Sequence, residues 1–478
     1  MEVNFEKFIK LVESYNPSEV EFITKAYEFA KKSHDGQIRQ SGEPYITHPL
    51  AVANILANMH ADKDTVCAGL LHDVIEDCDV SKDELSERFN PTIAELVDGV
   101  TNLTKVDFKN KTERTYATKR KIILGITKDA RIIIIKLADR LHNMSTLQYK
   151  SEYKRIAKAT ETMQFYVPLA RYIGAEKLRR ELEDLSFQHL SPQDYIEIKK
   201  QMNEYINLRK IDLNNMFLGI AYLLKQENIS YELKSRIKNA YSVYRRVKKG
   251  ESLYNLHDFI AIKVLVNDVK NCYDALRIIH SLYPPSNGTF KDYICKPKTN
   301  MYSSLHTSVF GPNDLLVQTQ IRTKEMEKIN LYGLTAYWDI CRGEAGNQMQ
   351  KTLQEKFQFV KSINEINRIF DDNQSFVKHI EREILGENIY VYNYDGTILE
   401  LPEGSTVIDF AYRLGSEIGN QMVSVYVNSQ NARFDTVLHT GERVHIITNE
   451  NNLGPKPEWI NDAVTIHAQR AIRKSLSR

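Results

Sequence analysis

Long hydrophobic runs are missing from this 478-residue chain. No stretch reaches the roughly 18 apolar residues that a membrane-spanning helix needs, so a membrane partner is not expected. The start, Met1-Glu2-Val3-Asn4-Phe5-Glu6-Lys7, has neither the basic region nor the apolar stretch of an export signal. Cysteine is scarce. Cys67, Cys78, Cys272, Cys295 and Cys341 are scattered without a Cys-x-x-Cys pair, which argues against a disulfide framework or a zinc knuckle and suits a reducing, cytoplasmic setting. Charge of one sign is also lacking: 64 Lys+Arg face 62 Asp+Glu, a net of +2. That balance is wrong for a protein that coats nucleic acid, so DNA is not an expected partner and any anion binding falls to local basic clusters. Internal repeats and low-complexity tracts are absent as well.

What is present divides the chain into parts, about three domains for this length. Residues 1–195 carry apolar positions at helical spacing, such as Phe22, Ala26, Phe29 and Ala30, and read as an all-α domain. Ile132 to Ile135 has strand-like composition, but it runs on to Met144 without a breaker and therefore reads as a buried helix. Residues 196–345 change texture. A basic, helix-like stretch leads into the strand-like runs Phe259 to Val266 and Leu315 to Ile321, as in an α/β domain. A charged helical connector is expected at 346–385. In 386–449, short β-rich runs alternate with turns at Asp395-Gly396, Pro402-Glu403-Gly404 and Thr440-Gly441-Glu442, giving a small β-rich domain. Residues 450–478 read as the start of a helical region with nothing evident to pack on.

The first part holds the chemistry. His72-Asp73 and Glu76-Asp77, read as one helix, place His72 above Glu76 and Asp73 above Asp77, so a single helix offers four ligands or acid–base groups. Asp139, Asn143 and Thr146 follow an i, i+4, i+7 pattern along a second helix, and His48 precedes Pro49. Two histidines and two aspartates suit manganese, iron, cobalt or zinc, and do not choose among them. Any one of these residues is unremarkable alone; Glu76 and Asp77 by themselves would be a solvated helix face. Their combination within one helical region, with Asp139 following four isoleucines where burial demands a partner, points to a metal site beside two spare carboxylates. That is the equipment of a metal-assisted phosphoester hydrolase.

The segment Gly36 to Pro49, the segment His72 to Asp77 and the run Lys136 to Met144 together resemble the hydrolase domain of the long-form Rel/SpoT homologues, which make and degrade the alarmone (p)ppGpp. The likeness continues through Tyr241-Ser242-Val243-Tyr244, Asp258 to Lys263, Tyr302 to Thr307 and Gln320-Ile321-Arg322-Thr323 of a synthetase-like domain, then through Leu401 to Tyr412 of a TGS domain. The fold it implies is multidomain α+β: an all-α HD-type hydrolase, an α/β nucleotidyltransferase-like domain and a β-grasp TGS domain. The resemblance implies that His48, His72, Asp73 and Asp139 hold Mn2+, that Glu76 and Asp77 handle the attacking water, and that Arg39, Ser41, Asn143 and Thr146 hold a guanosine nucleotide. The implied reaction removes the 3′-pyrophosphate and leaves GDP or GTP.

In the synthetase-like domain, Arg236, Lys238, Arg245, Arg246, Lys248 and Lys249 read as one basic helical stretch. By resemblance, Arg236, Lys238 and Arg246 take ATP phosphates, Asp258 takes Mg2+, Lys291 and Lys298 add phosphate contacts, Tyr302 stacks guanine and His306 lies within the same nucleotide motif. The family's catalytic strand reads Glu-Val-Gln-Ile-Arg, whereas this chain has Gln318-Thr319-Gln320-Ile321-Arg322. An amide cannot serve as a base or balance magnesium charge as a carboxylate does, so synthesis is expected to be lost or weak. Met301 and Ser235 replace glycines, and Tyr337 stands where the family usually has histidine. In the TGS-like part, Gly415 replaces the histidine that approaches the tRNA 3′ end, which weakens the case for a ribosome or tRNA contact. The alternatives are a bifunctional synthetase/hydrolase and a non-catalytic protein that senses alarmone or docks to a partner.

Overall fold

The computed structural model describes residues 4–103, 110–256, 258–297, 302–333, 336, 358–452 and 454–477. Lys298, Met301, Tyr337 and Cys341 lie outside them. The chain divides into two compact units, one of residues 1–107 and 121–353, the other of residues 108–120 and 354–478. Among the described residues no helix is long and apolar enough to cross a membrane, and the described cysteines Cys67, Cys78, Cys272 and Cys295 are free.

The first unit begins as a stack of helices. Asp62 caps the helix Lys63–Leu71 by accepting from Thr65 N at 2.9 Å, and Asn90, followed by Pro91, caps Pro91–Val100 in the same way. Ile132 to Ile135 lie in the helix Arg131–Ser145 and are all buried, as the unbroken pattern indicated. Gly69 is a point of close approach: a Cβ there would lie 2.5 Å from Leu56 Cδ1. The absence of that side chain lets Lys63–Leu71 press against Thr47–Ala57, which carries His48.

The expected single helix through His72 to Asp77 is broken in two. Lys63–Leu71 stops at His72, and Val74–Asp77 forms a separate turn. His72 Nδ1 donates to Gly69 O at 2.9 Å, using a carbonyl of the last turn and swinging the ring out of the ladder.

A long helix, Pro192–Gln226, leads to a five-stranded sheet of β1 (Tyr231–Ile237), β2 (Ile260–Val266), β3 (Lys291–Asp292), β4 (Leu305–Phe310) and β5 (Leu316–Thr323), in the order β1-β2-β5-β4-β3. Only β2 and β5 run parallel; the other neighbours are antiparallel. Every residue of β2 is buried, as its continuous apolar run requires. The basic stretch read as one helix is instead a strand followed by a helix. Arg236 lies on β1, which pairs antiparallel with β2 along its whole length, and the chain turns at Asn239 into Ala240–Val247. Pairing with the buried β2 outweighs the basic composition.

In the second unit, β6 (Asn388–Asn393), β7 (Ile398–Pro402), β8 (Met422–Val427), β9 (Gln430–Asn431) and β10 (Arg443–Thr448) form a sheet in the order β7-β6-β10-β8-β9, with β10 parallel to β6. The helix Val407–Leu414 covers it, giving the expected β-grasp. The tail, expected to have nothing to pack on, does have a partner. Trp459, Ala463, Ala468 and Ile472 join the core of this sheet. The buried Asp409 carboxylate ties the tail down by accepting from Val464 N, from Thr465 N at 2.7 Å and from Thr465 Oγ1. The connector region forms helices Gln358–Ile369 and Asn373–Glu383. Arg120 clasps their junction, donating to Asn367 Oδ1 at 2.8 Å and Phe370 O at 2.9 Å with its guanidinium over the Phe376 ring.

Candidate metal centre and nucleotide site

The helix break at His72 aims the ring at His48. His48 Nε2 and His72 Nε2 lie 3.3 Å apart. Asp73 Oδ2 is 3.5 Å from the first and 3.2 Å from the second, and Asp139 Oδ1 is 3.3 and 3.9 Å from them. Donors sharing one ion through bonds of about 2.1 Å stand roughly 3 to 3.5 Å apart, so this spacing fits a single cation. His48, His72 and Asp139 are buried and form a group able to hold a metal ion, with Asp73 partly exposed beside them.

The tautomers fit as well. A carbonyl only accepts, so the bond to Gly69 O puts a proton on His72 Nδ1 and makes Nε2 the nitrogen that would face a cation once its own proton is displaced. His48 Nδ1 lies 2.7 Å from His142 Nδ1, which Arg39 Nη1 also reaches at 3.1 Å. A guanidinium only donates, so His142 Nδ1 is the acceptor, His48 Nδ1 is a second donor and His48 Nε2 is freed. Burial, with His48 and Arg39 beside it, pushes His142 down to about 3 and keeps it neutral.

The cluster calls for positive charge. Burial presses on His72, yet Asp73 and Asp139 prevail and raise it to about 9. Asp73 and Asp139 resist burial and stay well below the usual carboxylate range, Asp73 chiefly through His72 and Asp139 through Lys136, whose Nζ lies 3.1 Å from Asp139 Oδ2. Two carboxylates that raise His72 while burial lowers His48 are a good seat for a divalent cation.

Glu76 and Asp77 sit beside this centre. Glu76 Oε2 accepts from Asn102 N at 3.1 Å and Asn102 Nδ2 at 2.9 Å, and burial raises its pKa. The Tyr45 hydroxyl bridges Asp73 Oδ2 and Asp77 Oδ2, 2.8 Å from each. Asn143 donates to Asp139 Oδ1 from the same helix, and Thr146, just past the helix end, bonds to His142 O at 3.2 Å. Ser41 Oγ donates to Glu43 Oε2 at 3.0 Å. Tyr45, Asn102, Lys136 and His142 were assigned no role from sequence. Two signals were available: Tyr45 lies one turn before His48, and His142 one turn after Asp139.

On the synthetase-like sheet the acids are already matched. Asp258 pairs through Oδ1 with Arg246 Nη1 at 2.7 Å and through Oδ2 with Lys238. Arg246 also grips Glu251. Glu327 binds Lys263 at 2.6 Å and Arg322 at 3.0 Å. The Tyr302 hydroxyl bonds to His306 Nε2 at 2.7 Å and accepts from Arg322 at 2.9 Å. Lys291 is exposed on β3, opposite His306. Arg236, on β1, is lowered to about 10 by burial and by Arg180 nearby. Gln318 on β5 accepts from Gln320 Nε2 at 2.7 Å. Gly415 joins two helices of the second unit, with open space around it: Ile418 Cδ1, at 3.9 Å, is the nearest atom to a Cβ built there.

Three families match in succession: the HD domain over residues 26–176, the region found in RelA / SpoT proteins over 235–343, and the TGS domain over 389–448. Full-length likeness accompanies them. A guanosine-3′,5′-bis(diphosphate) 3′-pyrophosphohydrolase of Haemophilus influenzae is 39% identical, covering 94% of this chain and 66% of its own length. A GTP pyrophosphokinase of Myxococcus xanthus is 36% identical over 97% of this chain and 61% of its own length. The bifunctional (p)ppGpp synthase/hydrolase SpoT of Escherichia coli is 38% identical over 99% and 67%. The chain thus spans about two thirds of the length of the curated relatives it matches.

Proposed function

The chain belongs to the long-form RelA/SpoT family, and from that premise we propose that it is a divalent-metal-dependent (p)ppGpp 3′-pyrophosphohydrolase, working with Mn2+ in the cytoplasm. The observation that carries the reading is the convergence of His48, His72, Asp73 and Asp139 on one point, with both histidines presenting Nε2. Bound there, the ion supplies Lewis-acid polarisation of a phosphoryl oxygen. Glu76, whose carboxyl is raised by burial, takes the proton of the attacking water, and Asp77 relays protons beside it. Arg39, with Ser41, Asn143 and Thr146, holds the guanosine nucleotide. Water enters at phosphorus, the 3′ oxygen leaves with a proton, and the products are pyrophosphate and GDP or GTP.

The synthetase-like sheet binds guanosine nucleotides, with Mg2+ at Asp258, but transfers pyrophosphate poorly because Gln318 stands where a carboxylate is needed. A bifunctional enzyme is the second reading, favoured by the basic pair Lys238 and Arg246 at Asp258. With Gly415 in place of histidine, that position of the TGS domain has no ring to offer a tRNA end. The deciding experiment is pyrophosphate release from ppGpp with Mn2+, using a chelated sample and Asp73→Asn as controls. Release that disappears in both supports the reading, whereas nucleotide binding without turnover makes the chain a sensor.

A further inference from the structure

The helix Pro192–Gln226 carries two apolar stripes where an ordinary surface helix has one. The inner stripe includes Met202, Tyr205, Met216, Ile220 and Leu224, all buried. The outer stripe is Leu208, Ile211, Leu218 and Tyr222, and these side chains are 64, 75, 61 and 62% exposed. No described segment of the chain covers them.

The outer stripe has the spacing of a coiled-coil seam. Positions 208, 211, 215, 218 and 222 step by three and four, which makes Leu208, Asn215 and Tyr222 the a positions and Ile211 and Leu218 the d positions. Asn215, exposed at the centre, is the single polar residue of the repeat. The positions just before each a are the exposed, uncharged Asn207 and Asn214, followed by Ala221, so two copies of this face meet without like charges at those positions. Glu204 and Lys225, at the next d positions on either side, end the apolar part. With roughly 100 to 150 Å² open on each of four large side chains, two copies would remove on the order of 1,000 Å² from water, the lower end for a specific interface.

We propose that this face pairs with the same face of a second copy of this chain, as a parallel, in-register helix pair with Asn215 against Asn215 of the partner subunit. A lone asparagine at an a position selects this arrangement. In register it meets another amide and both hydrogen-bond, whereas any shift buries it against an aliphatic side chain. The two-heptad length gives a dimer that forms in a concentration-dependent way.

Sedimentation equilibrium of the whole chain tests this. The mass is expected to rise with concentration from 55.4 kDa toward twice that value. Ile211→Asp and Leu218→Asp, both at exposed positions, are each expected to weaken association at least about tenfold, with far-UV circular dichroism unchanged. Asn215→Cys, in a Cys295→Ser background, is expected to cross-link two chains on mild oxidation, while Lys210→Cys does not. A chain monomeric at every concentration overturns the proposal, as does a dimer indifferent to both aspartates. Cross-linking through Lys210→Cys but not Asn215→Cys overturns the pairing as well, and that measurement stands even if an aspartate variant fails to fold.

Discussion

Two sites in the first unit use the same residue types to opposite ends. Around His48 and His72, the carboxylates of Asp73 and Asp139 both reach the same imidazole nitrogen, with Lys136 the cation paired to Asp139. On the synthetase-like sheet, each acid is closed by two bases: Asp258 by Lys238 and Arg246, Glu327 by Lys263 and Arg322. The first arrangement is costly unless a cation completes it; in the second, the chain's own cations already outweigh each acid. Counting acids therefore says little about where a metal goes. What counts is whether the acids face donors that only a metal can unite.

The sharpest way to break this comparison is to remove a donor from each side. His48→Gln or His72→Gln should lower pyrophosphate release from ppGpp by about 10³-fold or more, since Lewis-acid stabilisation is worth several kcal/mol. Metal titration by calorimetry should lose its binding step. Asp258→Asn should leave both readings intact, and an equal loss there would show that the two sites are not independent.

The next effect lies on the sheet. Gln318→Glu puts a carboxylate where the proposed reading needs a general base, and general-base catalysis contributes about 10²-fold or more. Synthesis of ppGpp from ATP and GDP should rise on that scale in the variant. Robust synthesis by the unaltered chain would remove the contrast altogether.

A smaller effect concerns the side chains that orient the metal donors. Tyr45→Phe removes the bridge between Asp73 and Asp77, and His142→Leu removes the acceptor that sets the His48 tautomer. Each should cost about 10- to 100-fold in metal affinity or activity, the usual range for such supporting groups. Thermal stability read on the same samples separates this from unfolding.

These supporting residues mark the limit of what the sequence could disclose. The candidate donors stood out in the sequence because His48, His72-Asp73 and Asp139 occur with spare carboxylates in one helical region, and the structure brings them within 4 Å of one another at the imidazole nitrogens. Tyr45 and His142 were not, since their partners lie 28 and 94 residues away and only packing makes the pairs. The break at His72 was missed because it comes from a ring-to-carbonyl bond, while spacing alone favoured a continuous helix. Strands β2 and β5 were legible from unbroken β-rich runs, but β1 was hidden by its charges and is a strand through its pairing with β2. The docking of the tail depends on Asp409, whose carboxylate reaches residues 55 and 56 positions on, a contact that no local pattern encodes.

The smallest effect extends the same electrostatic argument to the second unit. Glu383 accepts from Ile466 N at 3.1 Å at the start of the helix Ile466–Leu476, and burial raises its carboxyl from 4.5 to about 7. The folded state therefore holds this proton more tightly than the unfolded chain. Its contribution to stability is fully present below about pH 4.5, declines as pH rises, and is gone once pH passes 7. The decline should be on the order of 3 kcal/mol. Glu383→Gln keeps an uncharged acceptor for Ile466 N and should flatten that part of the curve, as followed by urea unfolding at pH 5 and pH 8. An unchanged slope would mean that the helix N-terminus compensates the buried charge in full, making Glu383 a matched acid like Asp258 instead of one held by its proton.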